Sequence, residues 1–212
     1  IKTNARSASA LDATILTGNL PAISGASLTG VSAGGLVLIS KTDISDGDSE
    51  VVLTFSSSYD NYRVVISNLV PQNTSGTDAR VYLKRSGQGS YDTSTNNYWK
   101  SGYDMGSYVS TINAGSTESA SFVQMIAWNM DGDNAYASSY NILEIGGVNL
   151  TTNTMIDAFS MQYPRGNSVD DFAMSHYHFM MSQAGAVTHL KLSPGSGDWE
   201  SGKVLFYGYR ET

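Results

Sequence analysis

From residue 36 onward the chain is a succession of short runs rich in Val, Ile, Leu, Tyr, Phe and Thr, each closed by a cluster of Gly, Ser, Asn or Asp. This punctuation constrains the fold more than any other feature. The runs are too short for three helical turns, and their β-branched and aromatic residues suit a pleated, half-buried surface. Strands are predicted at 36–40, 50–56, 62–69, 79–85, 97–103, 107–112, 119–128, 139–146, 154–163, 172–181, 187–193 and 202–210. Turns fall at DISDGD, VPQNTSGTD, MDGDNA, YPRGNSVDD and SPGSGDWESG. Many short strands at this spacing predict an all-β, antiparallel sandwich or barrel. The length of 212 residues accommodates one large domain of that kind.

Alternation assigns faces. Val51, Leu53 and Phe55 share one side of their run, with Val52 and Thr54 opposite. Near the C-terminus Val204 and Phe206 oppose Leu205, Tyr207 and Tyr209. In FAMSHYHFMM both faces are apolar: Phe172, Met174, His176, His178 and Met180 against Tyr177, Phe179 and Met181. Such a strand is either central or under a subunit interface. Trp199, just before the last run, reads as a packing anchor.

Residues 1–35 differ. They are small, polar and glycine-rich, and contain LTG at residues 16 and 28. Yet Leu16, Leu20, Ile23, Leu28 and Val31 recur through them and require burial. The chain opens with IKTNARS, without an initiator Met, so we expect it to be a piece: the C-terminal part of a longer protein, or a processed product. The division is therefore a shaft or linker over 1–35 and a head over 36–212.

Charged residues make up 15% of the chain, against about 25% in a typical domain. Net charge is −7. Lys84–Arg85 is the only adjacent basic pair, which argues against a nucleic-acid partner, since phosphate backbones require many cations on one face. The absence of cysteine excludes thiol catalysis, disulfides and thiolate metal sites. No run approaches the roughly 18 apolar residues of a membrane helix, so membrane insertion is not expected.

Several patterns carry possible chemistry. Gly30-Val31-Ser32-Ala33-Gly34 matches G-x-S-x-G but lacks the strand-to-helix context of a nucleophile elbow; it reads as a joint. Asp43, Asp46, Asp48 and Glu50, and Asp131, Asp133 and Asn134, are acidic turns that either bind calcium or serve the turns themselves, as Asp and Gly usually do. His176 and His178 stand on one strand face and have the spacing to chelate a divalent ion; three such pairs about a trimer axis would surround one. The expected role is plainer: two histidines packed in a core or interface and hydrogen-bonded to backbone, with no metal and no cofactor. His189 joins them only if its strand is a neighbour. Tyr98, Trp99, Tyr103, Trp128, Asp131 and Tyr136 combine flat aromatic faces with polar groups. That combination suits sugar rings or a protein partner, and these six are the expected ligand contacts.

LTGNLPAISGASLTGVSAGG resembles the short repeats of tail fibres and related appendages of tailed bacteriophages. SSSYDNYRVVISNLVP, ARVYLKRSGQGSYDTSTNNY and the final SGKVLFYGYR resemble phrases of the terminal domain that follows such repeats. Residues 100–190 carry no matching phrase. The resemblance implies a homotrimeric virion protein, made in the bacterial cytoplasm. Its C-terminal head would be a jelly-roll-like β-sandwich that binds a host-surface polysaccharide or protein receptor without cleaving it, with other virion proteins on the N-terminal side. In a trimer, Leu16, Leu20, Ile23, Leu28 and Val31 would meet their copies about the axis; in the rival arrangement they lie on their own head. Alternative functions are a capsid or head-fibre decoration protein, a polysaccharide depolymerase, and a free carbohydrate-binding module.

Overall fold

The computed structural model describes residues 35–74, 76–94, 96–106, 112–125, 130, 138–162 and 172–210. Among these residues all regular structure is β: β1 (Gly35–Ile44), β2 (Val51–Thr54), β3 (Asn61–Pro71), β4 (Ala79–Arg85), β5 (Tyr98–Gly106), β6 (Asn113–Ala120), β7 (Val123–Gln124), β8 (Ser139–Gly146), β9 (Met155–Gln162), β10 (Ala173–Met181), β11 (Val187–Pro194) and β12 (Trp199–Arg210). Leu16, Leu20, Ile23, Leu28, Val31 and the G-x-S-x-G segment lie outside the described residues.

The strands form two sheets. One has eight strands in the order β1-β12-β3-β8-β9-β10-β5-β6; the other has four, in the order β2-β11-β4-β7. Every pairing is antiparallel. Gly34–Thr212 make one compact unit.

The alternation visible in the sequence decides which face is buried. Val51, Leu53 and Phe55 point inward from the small sheet, and Val52 is exposed. Tyr62, Val64, Ile66 and Leu69 of β3 and Val204 and Phe206 of β12 supply the facing layer. Phe55 makes edge contacts with Tyr62 (4.7 Å) and Phe206 (5.7 Å), and Tyr62 stacks on Phe206 at 5.1 Å. The apolar faces of the two sheets thus share one core. A buried phenol ties them together: the Tyr98 hydroxyl accepts from the Leu83 N–H at 2.8 Å and donates to the Asp92 carbonyl at 3.3 Å. Trp199 is fully buried, as a packing anchor should be.

The predicted strand 107–112 lies outside the described residues except for Ile112. No strand covers Ile112; the edge strand is β6, Asn113–Ala120. Of the predicted strand 119–128, the described residues 119–125 contribute the end of β6 and the two-residue β7, and 126–128 lie outside the described residues. The acidic turn after β1 serves the turn. Asp48 accepts from the Ser45 N–H (2.8 Å), Asp43 pairs with Lys41 (3.0 Å), and Asp46 accepts from the Gln72 amide. These carboxylates are engaged separately and do not converge on a cation.

Candidate functional site

The large sheet has a second face, turned away from the core. Period-2 alternation places Trp99, Ser101 and Tyr103 of β5 on it, beside Met180, His178 and His176 of β10. The next row is Met155, Asp157 and Phe159 of β9. Ile142 and Glu144 of β8 follow, then Arg63 and Val65 of β3. Trp99 is 50% exposed and Met155 54% exposed. The result is a flat patch that mixes aromatic rings, thioethers, imidazoles and a carboxylate.

Its centre is polar. His176 Nε2 donates to Asp157 Oδ1 at 2.6 Å, and His178 Nδ1 lies 3.2 Å from the same oxygen. The His176 ring meets Tyr103 and Phe159 edge-on, at 5.8 and 6.2 Å, which sets its orientation between two strands. On the far side of Asp157, Glu144 binds Arg63 and accepts from the Tyr209 hydroxyl at 2.8 Å. The Glu144 hydrogen bond holds the Arg63 guanidinium above its ordinary pKa. Gly146 carries no side chain, and a depression of about 250 Å³ opens beside it. Asn61, Glu144, Met155, Asp157, His178 and Tyr209 are among its walls.

The opposite side of β5 and β10 fixes this patch from below. The Tyr177 hydroxyl donates to Asp104 at 2.6 Å, and the Lys100 ammonium sits 3.7 Å over the Tyr177 ring and 3.2 Å from the Gln124 amide oxygen. Burial pulls the Lys100 pKa down and pushes the Tyr177 pKa up. Gly102 lies between them with φ +153°, where a Cβ would stand 2.2 Å from the His176 carbonyl oxygen. The close approach of β5 to β10 therefore requires glycine.

Of the six expected ligand contacts, the structure brings Trp99 and Tyr103 together on this patch. Tyr98 is corrected to a core residue: it points the other way, is fully buried, and has its hydroxyl committed between the sheets. Trp128, Asp131 and Tyr136 lie outside the described residues. The histidine pair is also reassigned. His176 and His178 are on the outer face and face a carboxylate, not backbone. His189 belongs to the small sheet, where its Nδ1 contacts Thr188 Oγ1 at 2.8 Å, so it is no partner of theirs. Asp157 is the residue that sequence reasoning missed. Its strand was read correctly, but only the β9–β10 register sets it opposite His178.

No family model, curated protein or solved structure matches the chain.

Proposed function

We propose that this chain is the C-terminal part of a trimeric bacteriophage tail fibre, a virion protein whose jelly-roll-like β-sandwich head binds a bacterial surface receptor, a glycan first, without cleaving it. The observation that carries the reading is β1. It is the outermost strand of the large sheet, ten residues long, with one edge unpaired by any other strand among the described residues. Leu36, Leu38 and Ile39 on it are exposed, Leu38 by 53%. A long apolar edge strand is an association site unless something covers it. Copies of the same chain are the occupant that a trimer supplies. The strand directly follows the glycine-rich segment that resembles fibre shaft repeats, and that segment's own apolar residues also require burial.

The patch around Trp99 and Tyr103 lies at the other end of the sheet, separated from β1 by β12, β3, β8 and β9. It supports the receptor role. Aromatic faces take the C–H side of a sugar ring, and Asp157, Asn61 and His178 offer hydroxyl partners. Each contact would be weak. Several heads on one particle multiply effective affinity by roughly 10² to 10⁴.

The test is binding of labelled protein to cells of bacterial strains, with the polysaccharide of any bound strain assayed for new reducing ends. Binding that falls with Trp99→Ala while the fold is retained supports the reading. Release of reducing ends overturns the non-cleaving head in favour of a depolymerase. Binding unchanged in Trp99→Ala and Tyr103→Ala overturns the receptor patch.

A further inference from the structure

Asp157, His176 and His178 form the one group of three or more potential metal-ligating side chains found among the described residues, and their ligand atoms all lie within 4.8 Å of one another. The geometry points to a divalent transition-metal site held by these three side chains of a single chain. Two independent features of the fold create it. The i, i+2 spacing on β10 puts both imidazoles on the outer face. The β9–β10 register then places Asp157 directly opposite His178.

The spacing matches what an ion requires. Zinc binds His nitrogen and carboxylate oxygen at about 2.0–2.2 Å, so two ligands on a tetrahedral ion stand about 3.4 Å apart. Here Asp157 Oδ1 stands 2.6 Å from His176 Nε2 and 3.2 Å from His178 Nδ1. Small side-chain rotations bring all three to a common distance from one point. On binding, the ion displaces the His176–Asp157 hydrogen bond. The proton on His176 Nε2 passes through solvent to Nδ1, which frees the Nε2 lone pair for the ion, and His178 likewise coordinates as a neutral imidazole. The Tyr103 and Phe159 edges already set the His176 ring.

Ligand chemistry selects the class of ion. Two imidazoles and one carboxylate suit zinc, iron, cobalt or nickel, whereas calcium and magnesium demand a shell of oxygens. With three protein ligands, at least one coordination position remains open. That position faces out of the sheet, since Asp157 and His178 are about half exposed, at 46% and 57% of their side chains. A hydroxyl of a bound sugar or a carboxylate of a protein could complete the shell. All its ligands come from one chain, so the site needs no trimer; it lies within the proposed receptor patch, but metal binding is read without any receptor present.

The experiment is a titration of the chelator-stripped full chain with Zn²⁺ alone by calorimetry, with Co²⁺ as the spectroscopic probe and Mg²⁺ and Ca²⁺ as controls. The expected result is one Zn²⁺ per chain and a Co²⁺ visible spectrum of mixed nitrogen and oxygen ligation, with no saturation by Mg²⁺ or Ca²⁺. Asp157→Asn, which keeps the side-chain shape, and His178→Ala should each weaken Zn²⁺ binding by more than about 100-fold, beyond the loss of an outer-shell partner. Circular dichroism confirms that both variants fold. No saturable Zn²⁺ binding overturns the proposal. So does binding that survives Asp157→Asn, and so does one ion per three chains, which would place the histidines alone about a shared axis.

Discussion

The Tyr59 ring lies flat against the backbone of Gly208, so close that a Cβ on Gly208 would stand 2.5 Å from Tyr59 Cγ. Tyr59 belongs to the YDNY phrase and Gly208 to the closing YGYR, about 150 residues apart in the chain. Tyr59 also meets Tyr62 edge-on at 5.8 Å, and Tyr62 stacks on Phe206. The two phrases are thus the two sides of one aromatic core. Gly208→Ala should destabilise the protein by about 1–3 kcal/mol, the usual cost of forcing atoms into a packed site. Urea unfolding measures it. Adding Tyr59→Ala should recover part of the loss; the absence of any recovery would separate the two residues.

Tyr98→Phe tests whether this tyrosine joins the sheets or contacts a ligand. Removing the hydroxyl leaves the Leu83 N–H buried without its partner. The expected cost is about 1–3 kcal/mol of stability, with cell binding per folded molecule unchanged. A variant of native stability that binds poorly would restore Tyr98 as a contact residue.

Alkaline pH should unfold the protein through its buried phenols. Burial raises the pKa of Tyr62, Tyr98 and Tyr177 above the ordinary tyrosine value. The folded state therefore favours their neutral forms. Their contribution is fully present below pH about 10, the unfolded value, and is lost as pH rises toward the folded values. Stability measured from pH 8 upward should stay flat in this respect until about pH 10 and then fall, with tyrosine ionisation accompanying unfolding. Ionisation of all thirteen tyrosines at the ordinary pKa, with the fold intact, would contradict it.

Ser160→Ala should stabilise the protein. The inner face of β8–β10 turns polar at Ser139, Asn141, Ser160 and Ser175, all buried. Asn141 donates to Ser139 Oγ at 2.8 Å, but Ser160 Oγ has no hydrogen-bond partner among the described residues. Removing an unpaired buried hydroxyl should add about 1 kcal/mol. A loss of similar size would mean that Ser160 holds a water or a neighbouring group.

Strand positions were legible at 51–55, 172–181 and 204–209 from their β-branched and aromatic residues. Period two assigns the residues to two faces, but at 172–181, where both faces are apolar, only the fold decides which one is buried. β6 was not legible. Asn-Ala-Gly-Ser-Thr-Glu-Ser-Ala has no β-branched or aromatic alternation, and the strand exists through backbone pairing to β5. The candidate site was half legible. Trp99, Tyr103, His176 and His178 stood out by residue type. Asp157 did not, because nothing local links it to residue 176; the long YPRGNSVDD connection leaves the hairpin register open until the strands pair. Tyr98 misled because residue type groups it with Trp99 and Tyr103, while its parity on β5 turns it inward.

The central claim is that copies of this chain meet through the exposed edge strand β1 and the segment preceding it. Light-scattering mass of the purified 212-residue chain at micromolar concentration tests it most directly. The account predicts three chains, falling toward one when Leu38 and Ile39 are both replaced by Lys. A wild-type monomer at that concentration would contradict it.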